Sequence, residues 1–152
     1  MGSHAETFHT ISVNISVPAP GPSIRLVVGC DVNSDAECGA EIPRYGQGVR
    51  NQAWEMIYYP SGHVRFRNPN NVFLGADGSK LTSDTGTDDN SLWVIESVST
   101  GGYRIKSKTG NLFWKLAATR NGIDLDATAA NAVAWDVQAS IGVPPGIMTI
   151  IE

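Results

Sequence analysis

Three clusters of carboxylates and amides stand out in the chain: Asp31, Asn33 and Asp35; Asp88, Asp89 and Asn90; and Asp124, Asp126 and Asn131. Such groups suit ligands rich in hydroxyls, because together they supply acceptors and donors. The same residue types cap their own backbone in turns, so each cluster has a structural reading beside the binding one. Aromatic residues bear on the choice. Trp114 offers an apolar face and an N–H, so it either stacks on the ring of a polyol or fills a gap in the interior. Tyr45, in Arg44-Tyr45-Gly46-Gln47-Gly48, is a second ring in turn-like sequence. Tyr58 and Tyr59 are adjacent strand residues that point to opposite faces, which exposes one of them.

Catalysis finds no such support. The chain has no Gly-x-Ser-x-Gly elbow, no phosphate-cradling glycine loop and no His-Glu-x-x-His. His63 follows Ser61-Gly62 in a turn and reads as solvated. Carboxylates are numerous enough to leave a glycosidase pair open, but no motif points to one. His4, His9 and His63 share no ligand spacing with Cys30 and Cys38, so no metal site and no cofactor is expected. Cys30 and Cys38 could close a small disulfide loop or remain two free thiols. The expectation is a binding protein, not an enzyme.

The bulk composition narrows the partners. Of 152 residues, 41% are hydrophobic and 17% charged, which suits one domain with a real core. The net charge is −4 and the 11 basic residues form no run, which argues against nucleic acid. No apolar stretch approaches bilayer length, so no membrane insertion is expected. Met1-Gly2-Ser3-His4 resembles an expression leader, and residues 1–5 are set apart from the domain at 6–152. The N-terminus lacks the basic and apolar regions of a secretory signal, which favours a cytoplasmic over a secreted protein.

The elements that position these residues follow from a repeat. Trp54, Trp93 and Trp135 each follow an asparagine-containing stretch and lie roughly 40 residues apart. Twelve positions before each stands an aliphatic residue (Ile42, Leu81, Ile123), and twelve after stands another apolar one (Phe66, Ile105, Ile147). Asn71-Val72-Phe73-Leu74 matches Asn111-Leu112-Phe113-Trp114. The intervening segments read as short strands: Val64-Arg65-Phe66-Arg67 and Tyr103-Arg104-Ile105-Lys106 alternate apolar with basic residues. Pro60-Ser61-Gly62, Asp77-Gly78, Gly101-Gly102 and Asn121-Gly122 separate them as turns. No long segment carries helical periodicity.

Four short strands per unit, in three units, describe an all-β fold, a β-trefoil closed around a pseudo-threefold axis. No unit can bury its apolar face alone, so the three must pack together. A β-sandwich also uses many short strands but does not explain the tryptophan frame. The repeats fall at about 6–59, 60–99 and 100–140, with a closing strand at 146–152 beside the N-terminal strand. Repeat one is irregular. Its opening strand (8–15) leads into a stiff connector, Pro18 to Pro22, and Cys30 to Gly39 reads as an inserted loop. In this frame Trp54, Trp93 and Trp135 are core residues.

Asn51-Gln52-Ala53-Trp54, with looser copies at 90–93 and 131–135, resembles the Gln-x-Trp signature of ricin-type β-trefoil lectins. Leu81 through Trp93 and Gly101-Gly102-Tyr103 to Phe113-Trp114 are similar to the β-trefoil lectins of mushrooms, proteins of fungal defence. The resemblance implies sugar binding by an Asp after the second strand, a stacking ring in the third, and the Asn of the signature. Asp31 and Asn51 match the first and last. The ring position is Ile42, Leu81 and Ile123, so all three units lack it. In fucose-reading mushroom lectins an aromatic stands where this chain has Leu74.

The resemblance therefore points away from three equal ricin-like sites. It favours one or two sites near Trp114 and the Asp88–Asp89–Asn90 turn, with Asp31 and Asn51 as a remnant in repeat one and Tyr45, Asp124 and Asn131 as further contacts. Glycans or glycoproteins are the expected partners, and a homodimer is left open. Fungal β-trefoils also include protease inhibitors, so a protease is the alternative partner. Arg120-Asn121-Gly122 or Tyr45-Gly46-Gln47-Gly48 would then be the presented loop.

Overall fold

The computed structural model describes residues 8–18, 25–30, 38–41, 52–116, 123–139 and 149–151. These form thirteen strands and two single-turn 3-10 helices. The first four strands are β1 (Phe8–Pro18), β2 (Arg25–Cys30), β3 (Cys38–Glu41) and β4 (Trp54–Tyr58). The next four are β5 (Val64–Arg67), β6 (Phe73–Asp77), β7 (Lys80–Asp84) and β8 (Trp93–Ser97). Then come β9 (Tyr103–Ser107), β10 (Phe113–Leu116), β11 (Ile123–Asp126) and β12 (Asp136–Ala139), and last β13 (Thr149–Ile151). The 3-10 turns, Asp89–Ser91 and Ala129–Asn131, precede β8 and β12. Among the described residues no helix is long and apolar enough to cross a membrane.

The pairings close a ring. Strand β1 pairs with β4, β4 with β5, β5 with β8 and β8 with β9, all antiparallel. Tyr103 of β9 bridges to Trp135, which leads into β12, and β12 returns to β1. A closed ring leaves no edge along its wall, which removes the usual hazard of unpaired strands. The remaining strands form hairpins β2–β3, β6–β7 and β10–β11. Strands β3, β7 and β11 pack against one another, so the three hairpins meet. At the other end of the chain, β13 pairs with β1 from Phe8 to Thr10.

Alternation decides what lies inside. In β5, Val64 and Phe66 are buried while Arg65 and Arg67 are partly exposed. Trp54, Phe66, Trp93, Ile105 and Trp135 are fully buried, together with Leu81 and Ile123. Two indoles also tie the hairpins to the ring. Trp54 Nε1 donates to the Val28 carbonyl at 2.9 Å, and Trp93 Nε1 to the Leu74 carbonyl at 3.0 Å. Trp135 does not repeat this contact: among the described residues its Nε1 has no hydrogen-bond partner.

Two connections share one design. Asn68 N donates to Val72 O after β5, and Ser107 N donates to Leu112 O after β9, both at 2.9 Å. Each turn passes through an asparagine in the left-handed region, Asn71 at φ 63° and Asn111 at φ 52°. Asparagine tolerates that conformation better than other residues with a side chain. The repeated Asn-x-Phe pattern thus marks a specific turn as well as a strand.

Repeat one departs from the sequence reading. Strand β1 runs on to Pro18, which pairs with Arg25, so the chain is still extended where a connector was expected to begin. Cys38 and Gly39 are not part of an inserted loop. They open β3, opposite Cys30 and Gly29 of β2. That register sets Cys30 directly across from Cys38, and the two form a buried disulfide. Closing so short a loop should stabilise the fold by about 2–3 kcal/mol. Replacing both cysteines by alanine should lower the urea midpoint accordingly, and an unchanged midpoint would show the bond to be idle.

Candidate functional site

The turn between β7 and β8 is built from the sequence cluster Asp88–Asp89–Asn90, and all three residues are exposed. Asp88 is extended and caps the 3-10 turn, its Oδ1 accepting from Asn90 N at 3.1 Å. The capping role anticipated for such residues is therefore real. The surroundings add more. Arg65 of β5 donates through Nη2 to the Asp88 carbonyl at 2.9 Å and through Nε to Ser91 Oγ at 2.7 Å. Ser91, fully buried, donates a hydrogen bond through Oγ to the same carbonyl at 2.9 Å. The guanidinium also lies over the Tyr59 ring, 5.1 Å from its centre.

The β9–β10 connection supplies the other flank. Lys108 Nζ stands 3.1 Å from Asp89 Oδ2, and Thr109 Oγ1 donates to Asn90 Oδ1 at 3.4 Å. The result is a ridge on which carboxylate, amide, hydroxyl and ammonium groups alternate. Such a surface can both donate to and accept from neighbouring hydroxyls. Arg65, Lys108 and Thr109 were missed in the sequence. The alternation in Val64-Arg65-Phe66-Arg67 showed Arg65 facing outward, but nothing local named its partner 23 residues away.

Trp114 is corrected. It is fully buried, edge-on to Trp93 at 5.3 Å and to Trp135 at 5.7 Å, and tilted against Phe66 at 6.0 Å. An indole so enclosed fills the core and cannot stack on a ligand. Its Nε1 has no hydrogen-bond partner among the described residues. Leaving such a donor unpaired costs about 1–3 kcal/mol, offset here by the apolar contact of a large ring.

Asp124 lies on the β10–β11 hairpin, opposite Lys115 in register. Lys115 Nζ contacts Asp126 Oδ2 at 2.8 Å. That hydrogen bond, with the charges of Asp126 and Asp124, raises the Lys115 ammonium above its ordinary value. These two acids thus face a cation on their own hairpin. Asn131 ends the second 3-10 turn. Asp31, Tyr45 and Asn51 lie outside the described residues, as do both loops considered for a protease.

The exposed rings among the described residues are Tyr58 and Tyr103. With Ile11, Met56 and Ile95 they line an apolar cavity of about 190 Å³. Burial, and then the neighbouring Tyr103, push the Tyr58 phenol above its usual range. No group of three or more His, Cys, Asp or Glu residues suited to a metal ion occurs among the described residues.

No protein-family model and no curated protein matches the chain. Solved structures do. SeviL bound to asialo-GM1 saccharide is 13% identical, with a TM-score of 0.65, over 86% of this chain and 98% of that one. The lectin of Polyporus squamosus, bound to a sialylated epitope, is 17% identical with a TM-score of 0.63, over 85% of this chain and 49% of that one. The β-trefoil BEL is 12% identical with a TM-score of 0.64, over 86% of this chain and 93% of that one. The fold also occurs within an enzyme: the chain covers 32% of an endo-β-galactosidase from Clostridium perfringens, with a TM-score of 0.69 and 12% identity. The chain has a β-trefoil fold.

Proposed function

We propose that this protein is a carbohydrate-binding β-trefoil that acts by binding and not by catalysis. Its strands divide into three four-stranded units, β1–β4, β5–β8 and β9–β12, about a pseudo-threefold axis. Recurring contacts support that division: Trp54 with Val28 and Trp93 with Leu74, and the paired turns at Asn71 and Asn111. Solved relatives of the fold include proteins held with saccharides. The fold alone does not choose a function, so the reading rests on the surface chemistry.

The observation that carries it is the Asp88–Asp89–Asn90 ridge, with exposed acceptors and donors held in place by Arg65, Lys108 and Thr109. Its partners come from β5 and from the β9–β10 connection, so the ridge is supported by two other elements of the fold. A shallow polar surface of this kind suits glycan hydroxyls. Asp31 and Asn51 form the remnant site of unit one in this reading, and Tyr45, Asp124 and Asn131 are secondary contacts.

The test is a pair of substitutions, Asp89→Ala and Asn90→Ala, read against a glycan that an array identifies. Each should weaken binding by about 3–10-fold, as expected for losing one hydrogen bond to a hydroxyl. The exposed pair with Lys108 contributes little to stability, so the melting temperature should hold. Full binding by the folded double variant would remove the ridge from the site.

A further inference from the structure

A second concave surface shares no residue with the Asp88–Asp89–Asn90 ridge. It is a cleft of about 330 Å³ lined by Ser12 of β1, Glu55 of β4, Arg67 of β5 and the turn residues Asn68 and Asn71. Ala53 and Pro69 add an apolar strip. The volume falls in the range of small-molecule sites. We propose that this cleft is a binding site for an uncharged polyol, engaging a vicinal diol such as a neutral sugar presents.

The charge balance selects the ligand class. Glu55 and Arg67 face each other across β4 and β5 and form an ion pair through Oε1 and Nη2. Both remain partly exposed, the guanidinium side 41% and the carboxylate side 23%. An anion entering the cleft would compete with Glu55 for Arg67, and a cation would compete with Arg67 for Glu55. Adjacent hydroxyls instead give to the carboxylate and accept from the guanidinium without breaking the pair. A guanidinium has five donors and a carboxylate about four acceptor positions, so the pair does not exhaust either group.

Asn68 is the independent observation. It is 2% exposed, and its Oδ1 accepts from Asn70 N at 2.9 Å and Val72 N at 3.0 Å. Its Nδ2 has no hydrogen-bond partner among the described residues. Ser107 holds the matching turn after β9 with one hydroxyl, which accepts from Leu112 N at 3.0 Å. That turn is one residue longer, and Asn68 serves its own turn through Oδ1 alone, so its Nδ2 takes no part in holding it. A buried donor without a partner, in a residue that lines a cleft, points to a ligand acceptor.

The experiment is an amide-detected NMR titration of the whole chain with D-galactose, D-mannose and D-glucuronate, one at a time. A neutral sugar should shift the Asn68 side-chain amide and the backbone amides of Arg67 and Asn71, and glucuronate should not. Asn68→Ser, in the folded variant, should lose about fivefold in affinity, the equivalent of one hydrogen bond. Glu55→Gln, which leaves Arg67 uncompensated, should admit glucuronate. Shifts at residues 88–90 with none at 67–71 would overturn this proposal and leave the ridge standing. Shifts at 67–71 alone would do the reverse. No shift with any of the three sugars, or full affinity in Asn68→Ser with Glu55→Gln still rejecting glucuronate, would overturn it as well.

Discussion

Replacing Trp114 by alanine should destabilise the protein by about 3–5 kcal/mol, a large share of the stability of a small domain. The indole is fully buried and touches three other rings, so its loss leaves a cavity that Trp93, Trp135 and Phe66 cannot close. Urea unfolding should show a lower midpoint with an unchanged slope. Trp114→Leu should cost less, because a buried Leu74 ends the matching Asn-x-Phe segment and because the substitution also removes an N–H unpaired among the described residues. A midpoint equal to wild type in the alanine variant would contradict the placement of this ring.

Gly86→Ala should have the next largest effect, about 2–5 kcal/mol, from two additive causes. Gly86 has φ +79°, a conformation that side chains rarely adopt, and an added Cβ would meet the Phe73 ring at 2.5 Å. The position cannot drift, because Gly86 N is held by Asp84 Oδ1 at 2.8 Å. Phe73→Leu should relieve the steric part only. The double variant should therefore be more stable than the sum of the two single losses, and strict additivity would show that the ring is not the obstacle.

The two cases show what could be read in the chain beforehand and what could not. Trp54, Trp93 and their aliphatic partner Leu81 were legible because one period fixed both their spacing and their burial. Trp114 was ambiguous because its counterpart is Leu74, so its extra bulk looked available for a ligand. The core takes up that bulk asymmetrically instead, at the cost of unpaired N–H groups on Trp114 and Trp135. Such an exchange depends on how distant strands meet, which no local pattern records. Cys30 and Cys38 were undecided for a similar reason. Their spacing allowed a disulfide, but only the β2–β3 register sets them opposite each other.

The same division runs through the two proposed binding surfaces. Asp88 was legible as a turn residue from its own neighbours. Its environment was not, since Arg65 arrives from β5 and Lys108 from the β9–β10 connection, which the closed ring brings alongside. The cleft at Glu55 and Arg67 escaped notice altogether. Each residue reads as an ordinary outward-facing strand position, and only the β4–β5 pairing joins them. Asn68 looked like part of a turn, which it is, and only its burial among the described residues makes the unpaired Nδ2 evident.

Carbohydrate binding by the purified protein is the claim on which the rest depends, and a glycan array, run beside inhibition assays with trypsin and papain, measures it most directly. Binding to a set of glycans that share exposed hydroxyl edges, with neither protease inhibited, is the predicted result. Inhibition of either protease with no glycan retained would contradict it and assign the protein to the inhibitors that share its fold.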